Sequence, residues 1–268
     1  MNGMRARLAA VACVALAVGG SDLGAQEPFE WNGRIARGGT LEVKGISGSI
    51  RAELASGTAA QVTAEKSGSQ GDFDQVEIRV VQDGADVVIC AVYGDTNGGD
   101  DCESNRDGPR GLFRRHRSIN VGVDFVVQLP AGTALKADLV SGDVDISGVQ
   151  SDVSASTVSG DVAISTTGLA RAHAVSGSLD VAMGATEWDE LDFNTVSGDI
   201  TLRLPAAADA DLEFQSVSGD LTSDFDMRLT GRIGRRWPGQ PVRATIGDGG
   251  HPISLKTVSG AARLLKGR

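Results

Sequence analysis

The most regular feature of the chain is an alternation of apolar and polar residues around a recurring Val-Ser-Gly tripeptide. The tripeptide begins at Val140, Val158, Val175, Val196, Val217 and Val258, and a related Ile-Ser-Gly begins at Ile46. In every Val copy the residues five and three positions before the valine are apolar, whereas the residues four and two positions before it are polar. This period of two predicts a β-strand with one buried face and one solvated face.

The alternation resumes after the tripeptide. Buried positions are expected four and six residues past the valine, as at Val144 and Ile146 in the first Val copy. Each unit is therefore predicted to contain a strand, a Ser-Gly corner, a second strand and a second turn. Glycine suits such a corner because it adopts a positive φ without steric cost.

The spacing of the copies indicates how the units are arranged. Successive valines are 18, 17, 21, 21 and 41 residues apart, and the last spacing is close to two units. A recurring unit of about 20 residues predicts an all-β fold in which coils stack on one another, a β-solenoid similar to a single-stranded β-helix. A sandwich of antiparallel hairpins would show the same alternation, but it does not require one tripeptide at the same phase of every unit.

The first residues predict export from the cytoplasm. Arg5 and Arg7 precede the apolar run LAAVACVALAVGG, and the small residue Ala25 follows at a plausible cleavage point, as in a secretory signal peptide. The run is too short for a permanent transmembrane helix, which needs about 20 apolar residues. A lipoprotein anchored through Cys13 is the alternative reading. We therefore expect a secreted or periplasmic protein.

Three regions are expected. Residues 1–25 form the signal peptide, residues 26–134 form an N-terminal β region with the first coil copy and a disulfide loop, and residues 135–268 form the repeat solenoid. The last two regions are expected to make one continuous domain. Further strands are predicted between residues 59 and 92, before the Val copies begin.

Two cysteines remain after the predicted signal peptide. Cys90 and Cys102 flank a turn rich in Gly and Asp, and in an oxidising compartment such a pair is predicted to form a disulfide. A zinc site is a poorer interpretation, because two thiols without a nearby His or Cys do not complete a tetrahedral ligand set.

Charge and motifs narrow the possible functions. The formal net charge is -10, which argues against nucleic acid as a partner because phosphates would be repelled. The corner aspartates Asp143, Asp161, Asp199 and Asp220 could form a calcium ladder or an acid pair, but the favoured interpretation is that they bond to the local backbone. No catalytic residue, metal site or cofactor is predicted, and no later segment is apolar enough for a transmembrane helix.

Two segments that interrupt the repeat are basic. Their candidate binding residues are Phe113, Arg114, Arg115 and Arg117 in the first segment, and Arg232, Arg235, Arg236, Trp237 and Arg243 in the second. Arginine and aromatic residues are enriched in contact surfaces, and guanidinium pairs bidentately with carboxylate and phosphate. The two segments could therefore bind an anionic envelope component, namely a glycan, a lipid head group or an acidic protein patch. The alternative is that they are solvated loops which balance an acidic body.

The repeat phrase and the Gly-rich lead-in to its last copy, IGDGGHPISLKTVSGAARLL, resemble the family of bacterial envelope proteins called putative adhesins. The resemblance covers roughly residues 39–266. It implies a β-solenoid and supplies no catalytic residues. We therefore expect a non-enzymatic, adhesin-like interaction or scaffold module of the envelope. The alternative is a carbohydrate-active β-helix enzyme of the polysaccharide lyase or hydrolase type.

Overall fold

The computed structural model describes residues 28–94, 102, 119–230 and 240–267. In this part of the chain the regular secondary structure is β-strand, apart from one 3-10 helix, Gln70–Gln75. The predicted signal peptide lies outside the described residues. Within the described ranges, no helix has the length and apolar character needed to cross a bilayer. The all-β prediction is confirmed.

The strands form two sheets that share one long strand, β2. Sheet B runs in spatial order through β4 (Val76–Asp83), β5 (Asp86–Tyr93), the first half of β2 (Thr40–Leu54), β7 (Ala134–Ser141), β9 (Val153–Ser159), β11 (Ala170–Ser176), β13 (Leu191–Asn194), β19 (Pro252–Lys256), β15 (Ala210–Gln215), β18 (Val242–Ile246) and β17 (Met227–Thr230). Sheet A runs through β1 (Phe29–Gly33), β3 (Ala60–Gly68), β6 (Val121–Leu129), the second half of β2, β8 (Val144–Val149), β10 (Val162–Thr166), β12 (Leu179–Met183), β14 (Ile200–Leu204), β20 (Ala262–Lys266) and β16 (Leu221–Ser223).

The direction of the strands distinguishes the two predicted architectures. Pairing is parallel from β5 to β15 in sheet B and from β6 to β16 in sheet A. Antiparallel pairs such as β4 with β5, and β17 with β18, lie at the ends of the sheets. Parallel pairing at the repeat spacing makes each unit one coil with a strand in each sheet. The β-solenoid prediction is therefore confirmed over the sandwich of hairpins.

Each coil is named here by the first residue of its tripeptide, and at the ends of the solenoid the coils do not follow chain order. The Val258 coil (β19 and β20) lies between the Val196 coil (β13 and β14) and the Val217 coil (β15 and β16). The Ile46 coil (β2) likewise lies between β5 and β6 on one side and the Val140 coil (β7 and β8) on the other. The sequence predicted that each coil stacks on the preceding one. The 41-residue spacing instead contains the β17–β18 hairpin, after which the chain returns into the stack.

The core lies between the sheets and consists of columns of apolar side chains. The inward positions five and three residues before each tripeptide are at most 3% exposed in all seven coils. Their members are Leu41, Leu135, Val153, Ala170, Leu191, Ile253 and Leu212, and then Val43, Ala137, Ala155, Ala172, Phe193, Leu255 and Phe214. The predicted two-faced strand is therefore confirmed coil by coil.

Adjacent coils approach one another most closely at the Ser-Gly corner. The φ angles of Gly142, Gly160 and Gly177 are 128°, 143° and 150°, which side chains rarely adopt. A Cβ atom on these residues would lie 1.7–2.1 Å from the carbonyl oxygen of the corner glycine in the neighbouring coil. The corner therefore requires glycine for two reasons: the backbone angle and the close contact between coils.

A buried residue just before the tripeptide completes the corner. Thr157, Thr195 and Thr257 each donate a hydroxyl hydrogen bond to the corner glycine carbonyl of the neighbouring coil, at 3.2, 2.9 and 3.3 Å. These three side chains are at most 5% exposed. A buried carbonyl without a partner is costly, so the threonine column stabilises the stack. The repeated tripeptide is thus a structural device.

Candidate functional site

Three of the four corner aspartates, Asp143, Asp161 and Asp199, hold neighbouring coils together. Asp143 accepts a hydrogen bond from the backbone N–H of Asp161 at 2.9 Å, and Asp161 accepts one from the N–H of Ser178 at 2.7 Å. Asp199 does the same for Ala261 at 2.8 Å. The favoured interpretation was a bond to the local backbone, whereas these bonds reach the next coil. Within the described residues, no group of three His, Cys, Asp or Glu side chains is placed to hold a metal ion.

The two described histidines take part in packing contacts. His173 Nδ1 lies 2.8 Å from Asn194 Nδ2 on the outer face of sheet B. His251 Nδ1 lies 2.8 Å from the carbonyl oxygen of Trp188, and the two rings are 5.1 Å apart. The first contact joins β11 to β13, and the second fastens the turn before β13 to the start of β19.

The predicted disulfide is present. Cys90 and Cys102 are bonded, with their Cα atoms 5.9 Å apart, and both are buried beside Val92 on the outer face of sheet B. Lys44 Nζ lies 3.5 Å from the carbonyl oxygen of Cys102. The bond therefore fastens Cys102 to β5 on the outer face of sheet B.

A small ionic cluster lies next to this disulfide. Glu42 on β2 pairs with Lys136 on the neighbouring strand β7 at 2.6 Å, and with Lys44 on its own strand at 3.1 Å. Burial acts to raise the pKa of Glu42, but the hydrogen bonds and charges of the two lysines outweigh it and leave that pKa below its ordinary value. All three charges are therefore satisfied within the cluster.

At the opposite end, the outer face of sheet B forms an open groove of about 520 Å³. Its polar lining includes Glu190, Asp211, Glu213, Thr230, Arg243, Thr245, Ser254 and Lys256. Arg243 Nε pairs with Glu213 at 2.8 Å, and Lys256 Nζ lies 3.8 Å from Asp192. The groove carries both signs of charge, and its two cations already face carboxylates.

The predicted basic surface is only partly described. Phe113, Arg114, Arg115, Arg117, Arg232, Arg235, Arg236 and Trp237 lie outside the described residues. Arg243 lies on β18 and lines the groove, as does Thr230, the last residue of β17. The second basic segment therefore connects two strands that border the groove, which makes the groove and this segment the candidate binding region.

Sequence reasoning missed one surface feature. The first residue of each tripeptide points outward, and Val158, Val175, Val196, Val217 and Val258 are 47–56% exposed, while Val140 is partly buried. In spatial order these residues form the valine stripe: Val140, Val158, Val175, Val196, Val258 and Val217. The period of two could have predicted this exposure. If the residues five, three and one positions before the valine point inward, the valine itself points outward.

The chain is similar to several solved structures and matches one protein family. A comparison with curated proteins gives no match. Among solved structures, the chain is similar to a putative cell adhesion protein from Clostridium sporogenes, at 9% identity and a TM-score of 0.43, covering 90% of this chain and 100% of that one. It is also similar to a putative adhesin from Bacteroides fragilis, at 13% identity and a TM-score of 0.38, covering 90% and 98%. A putative lipid binding protein from Parabacteroides distasonis shows 11% identity and a TM-score of 0.28, covering 90% and 97%.

The family comparison covers most of the chain. The Toastrack DUF4097 family matches residues 32–264, which extend from β1 to β20 and include every copy of the tripeptide. The stacked coils, the glycine corners and this match lead to one conclusion: the chain belongs to the Toastrack DUF4097 family.

Proposed function

We propose that this protein is a non-enzymatic, adhesin-like interaction or scaffold module of the bacterial envelope, secreted or periplasmic. The observation that carries the proposal is the use of the repeated polar side chains. Three of the corner aspartates and the buried threonines bond to the neighbouring coil, so these repeated polar side chains build the stack. A rigid array with a varied outer face suits binding, and the predicted signal peptide supports export.

The ligand class is proposed from the basic segments. Three described cations at this end are already paired with carboxylates: Arg243 with Glu213, Lys256 with Asp192, and Arg263 with Asp199. A fourth, Arg228 on β17, donates to the carbonyl oxygen of Gly247. We therefore assign attraction of an anion at this end mainly to the arginines of the segment between β17 and β18, above all Arg235 and Arg236. Guanidinium groups fit carboxylate and phosphate, so we propose an anionic glycan, lipid head group or acidic protein patch as the ligand.

The test is binding of the mature protein to vesicles with an anionic phospholipid and to an acidic polysaccharide, at low and high salt. We expect binding at low salt that weakens at high salt, because screening reduces attraction between exposed charges. The double variant Arg235→Ser/Arg236→Ser should lose most of this binding. Arg243→Ser is the matched control, and it should lose less because the Arg243 charge is already opposed by Glu213.

Three results would contradict the proposal. Equal binding by the native protein and the Arg235→Ser/Arg236→Ser variant, or no binding at low salt, would remove the anionic ligand. Release of reducing ends or unsaturated sugars from the polysaccharide would favour the carbohydrate-active enzyme instead. Binding to vesicles alone or to polysaccharide alone would identify which source of anion is recognised.

A further inference from the structure

The valine stripe is a straight apolar ladder on the outside of the solenoid. Neighbouring coils are in register at the corner, with Ser141 opposite Ser159, and Ser197 opposite both Ser176 and Ser259. Strands in a sheet are about 4.8 Å apart, so the six valines extend over about 24 Å. An exposed serine follows each valine along the chain and forms a second ladder beside the first.

Strand propensity alone does not account for the stripe. Other outward positions are mostly polar and vary from coil to coil, as at Lys136, Ser154 and Arg171 in sheet B. Threonine has similar β-propensity and would keep an exposed position solvated. The chain instead has valine in six of its seven coils and isoleucine in the seventh, and it concentrates exposed apolar surface along one line. Contiguous patches of this kind on a soluble protein mark interaction sites.

The same column is covered at the N-terminal end of the solenoid. The register of β2 with β5, continued by two residues, places Val92 beside Ile46. Val92 is only 7% exposed, because it packs with the disulfide of Cys90 and Cys102. The outward-facing residue at the corner is therefore buried where the disulfide covers it. Beyond Val140, the valines in the same column are exposed.

We propose that the valine stripe is the contact surface of a homodimer, in which a second copy packs its own stripe antiparallel against the first. A second copy offers the same spacing of about 4.8 Å, so the two rows of valine side chains face each other along their whole length. A two-fold axis across the stripe places Val140 opposite Val217 of the second copy, and Val175 opposite Val196. The interface is then isologous and closed.

The residues that flank the stripe on sheet B suit this arrangement. Two positions before each valine, the antiparallel pairing brings together residues that are not of like charge. The opposed residues are Asp138 with Gln215, Ser156 with Lys256, and His173 with Asn194. On the sheet A side, Asp143 lies opposite Asp220, and this is the like-charge pair of the interface.

The size and charge of the interface predict a weak, reversible dimer. The stripe is on the order of a few hundred Å² on each copy, so with the serine ladders the total approaches the roughly 1,000 Å² that a specific interface needs. The net charge of -10 and the pairing of Asp143 with Asp220 oppose association. Salt screens this repulsion, so the dimer should strengthen with salt. This salt dependence is opposite to that of the proposed anion binding, so the two proposals can fail independently.

The test is sedimentation equilibrium of the mature protein from micromolar to near-millimolar concentration, at low and high salt. The variant Val175→Thr/Val196→Thr keeps β-branched side chains but introduces hydroxyl groups at the centre of the interface. Each copy contributes two of these hydroxyl groups to the dimer. We expect the dimer to weaken by about tenfold or more, since burying a hydroxyl without a partner is costly. The matched control is Val80→Thr/Val126→Thr, which changes two valines that are 40% and 47% exposed but lie off the stripe.

The expected result is a monomer–dimer equilibrium that is unchanged in the control variant and shifted to monomer in the stripe variant, with equal thermal stability for both. A native protein that stays monomeric at the highest concentration and salt would overturn the proposal. So would an equal shift in both variants. If the protein remains monomeric while Val175 and Val196 are shielded from solvent, then another part of the chain covers the stripe. That result would also reject the second copy as the partner.

Discussion

The middle of the solenoid and its two ends are built from one repeat but are connected differently. From the Val140 coil to the Val196 coil, each coil follows the preceding one along the chain and stacks on it. At each end, the first or last copy of the tripeptide lies inside the stack, and another pair of strands stacks outside it. An antiparallel strand pair then lies at the end of sheet B. The terminal copies thus have a neighbouring coil on both sides.

This difference shows what the ends of a solenoid require. A stack of parallel strands leaves unpaired backbone groups at its two ends, which are prone to pair with other chains. The β4–β5 and β17–β18 pairs cover these ends in sheet B, while the copies nearest the chain termini are fixed between two coils, where they cannot fray. The middle is thus stabilised by contacts about one coil apart in sequence, and the ends by contacts as distant as Leu41 with Leu135.

The largest expected effect comes from removing the inserted coil. Deletion of residues 252–268 removes β19 and β20 and leaves the Val196 and Val217 coils without a shared neighbour. The buried side chains of Ile253, Leu255 and Leu264 contribute about 2 kcal/mol each, so the free energy of unfolding should fall by about 6 kcal/mol or more. Urea unfolding with limited proteolysis would measure this loss.

The matched control deletes residues 29–33, which form β1, an edge strand whose described pairing is with β3. This deletion should cost clearly less, because no other described strand pairs with β1 on its far side. Similar losses in the two deletions would show that the inserted coil is no more important than an edge strand.

A charge inside the middle coils should be almost as damaging. Ala155 is 0% exposed, and its neighbours in the column are Ala137 and Ala172. Ala155→Asp buries a carboxylate without a partner, so the free energy of unfolding should fall by about 3–5 kcal/mol. Ser154→Asp is the control one residue away, since Ser154 lies on the outer face between Lys136 and Arg171. It should change thermal stability little, and similar effects at both positions would contradict the two-faced strand.

The sequence predicts the middle of this molecule better than its ends. Periodicity identifies the buried columns and the glycine corner, because those features repeat locally in every coil. It does not predict that β19 lies between β13 and β15, because an inserted coil buries the same positions as an added one. The Cys90–Cys102 bond was predictable from cysteine number and compartment, whereas the exposure of the tripeptide valine was overlooked although the same period implies it. The groove was not predicted, since its lining comes from strands that are distant in sequence.

A smaller effect should separate backbone strain from close contact at the corner. Gly177 has a φ of 150° and a Cβ there would lie 1.8 Å from the carbonyl oxygen of Gly160, whereas Gly132 has a φ of 79° with open space around it. Gly132→Ala should cost about 1 kcal/mol from strain alone. Gly177→Ala adds a clash with the adjacent coil, for a total of about 3 kcal/mol. If both variants lost the same free energy of unfolding in urea, the close contact between coils would not contribute to the requirement for glycine at the corner.

The smallest effect concerns one hydroxyl group between the Val175 and Val196 coils. Thr195→Val keeps the shape of the side chain but removes its hydrogen bond to the carbonyl oxygen of Gly177, so stability should fall by about 1 kcal/mol. The equivalent position in the Val175 coil is Ala174, which has no hydroxyl to donate to Gly160. Ala174→Thr should therefore stabilise the middle of the solenoid by a similar amount, provided that the added methyl group fits as it does at Thr157 and Thr195. Thermal unfolding would measure the expected loss of stability in Thr195→Val and the expected gain in Ala174→Thr. Unchanged stability in Thr195→Val would show that this hydrogen bond adds nothing, and a loss in Ala174→Thr would show that the added methyl group does not fit.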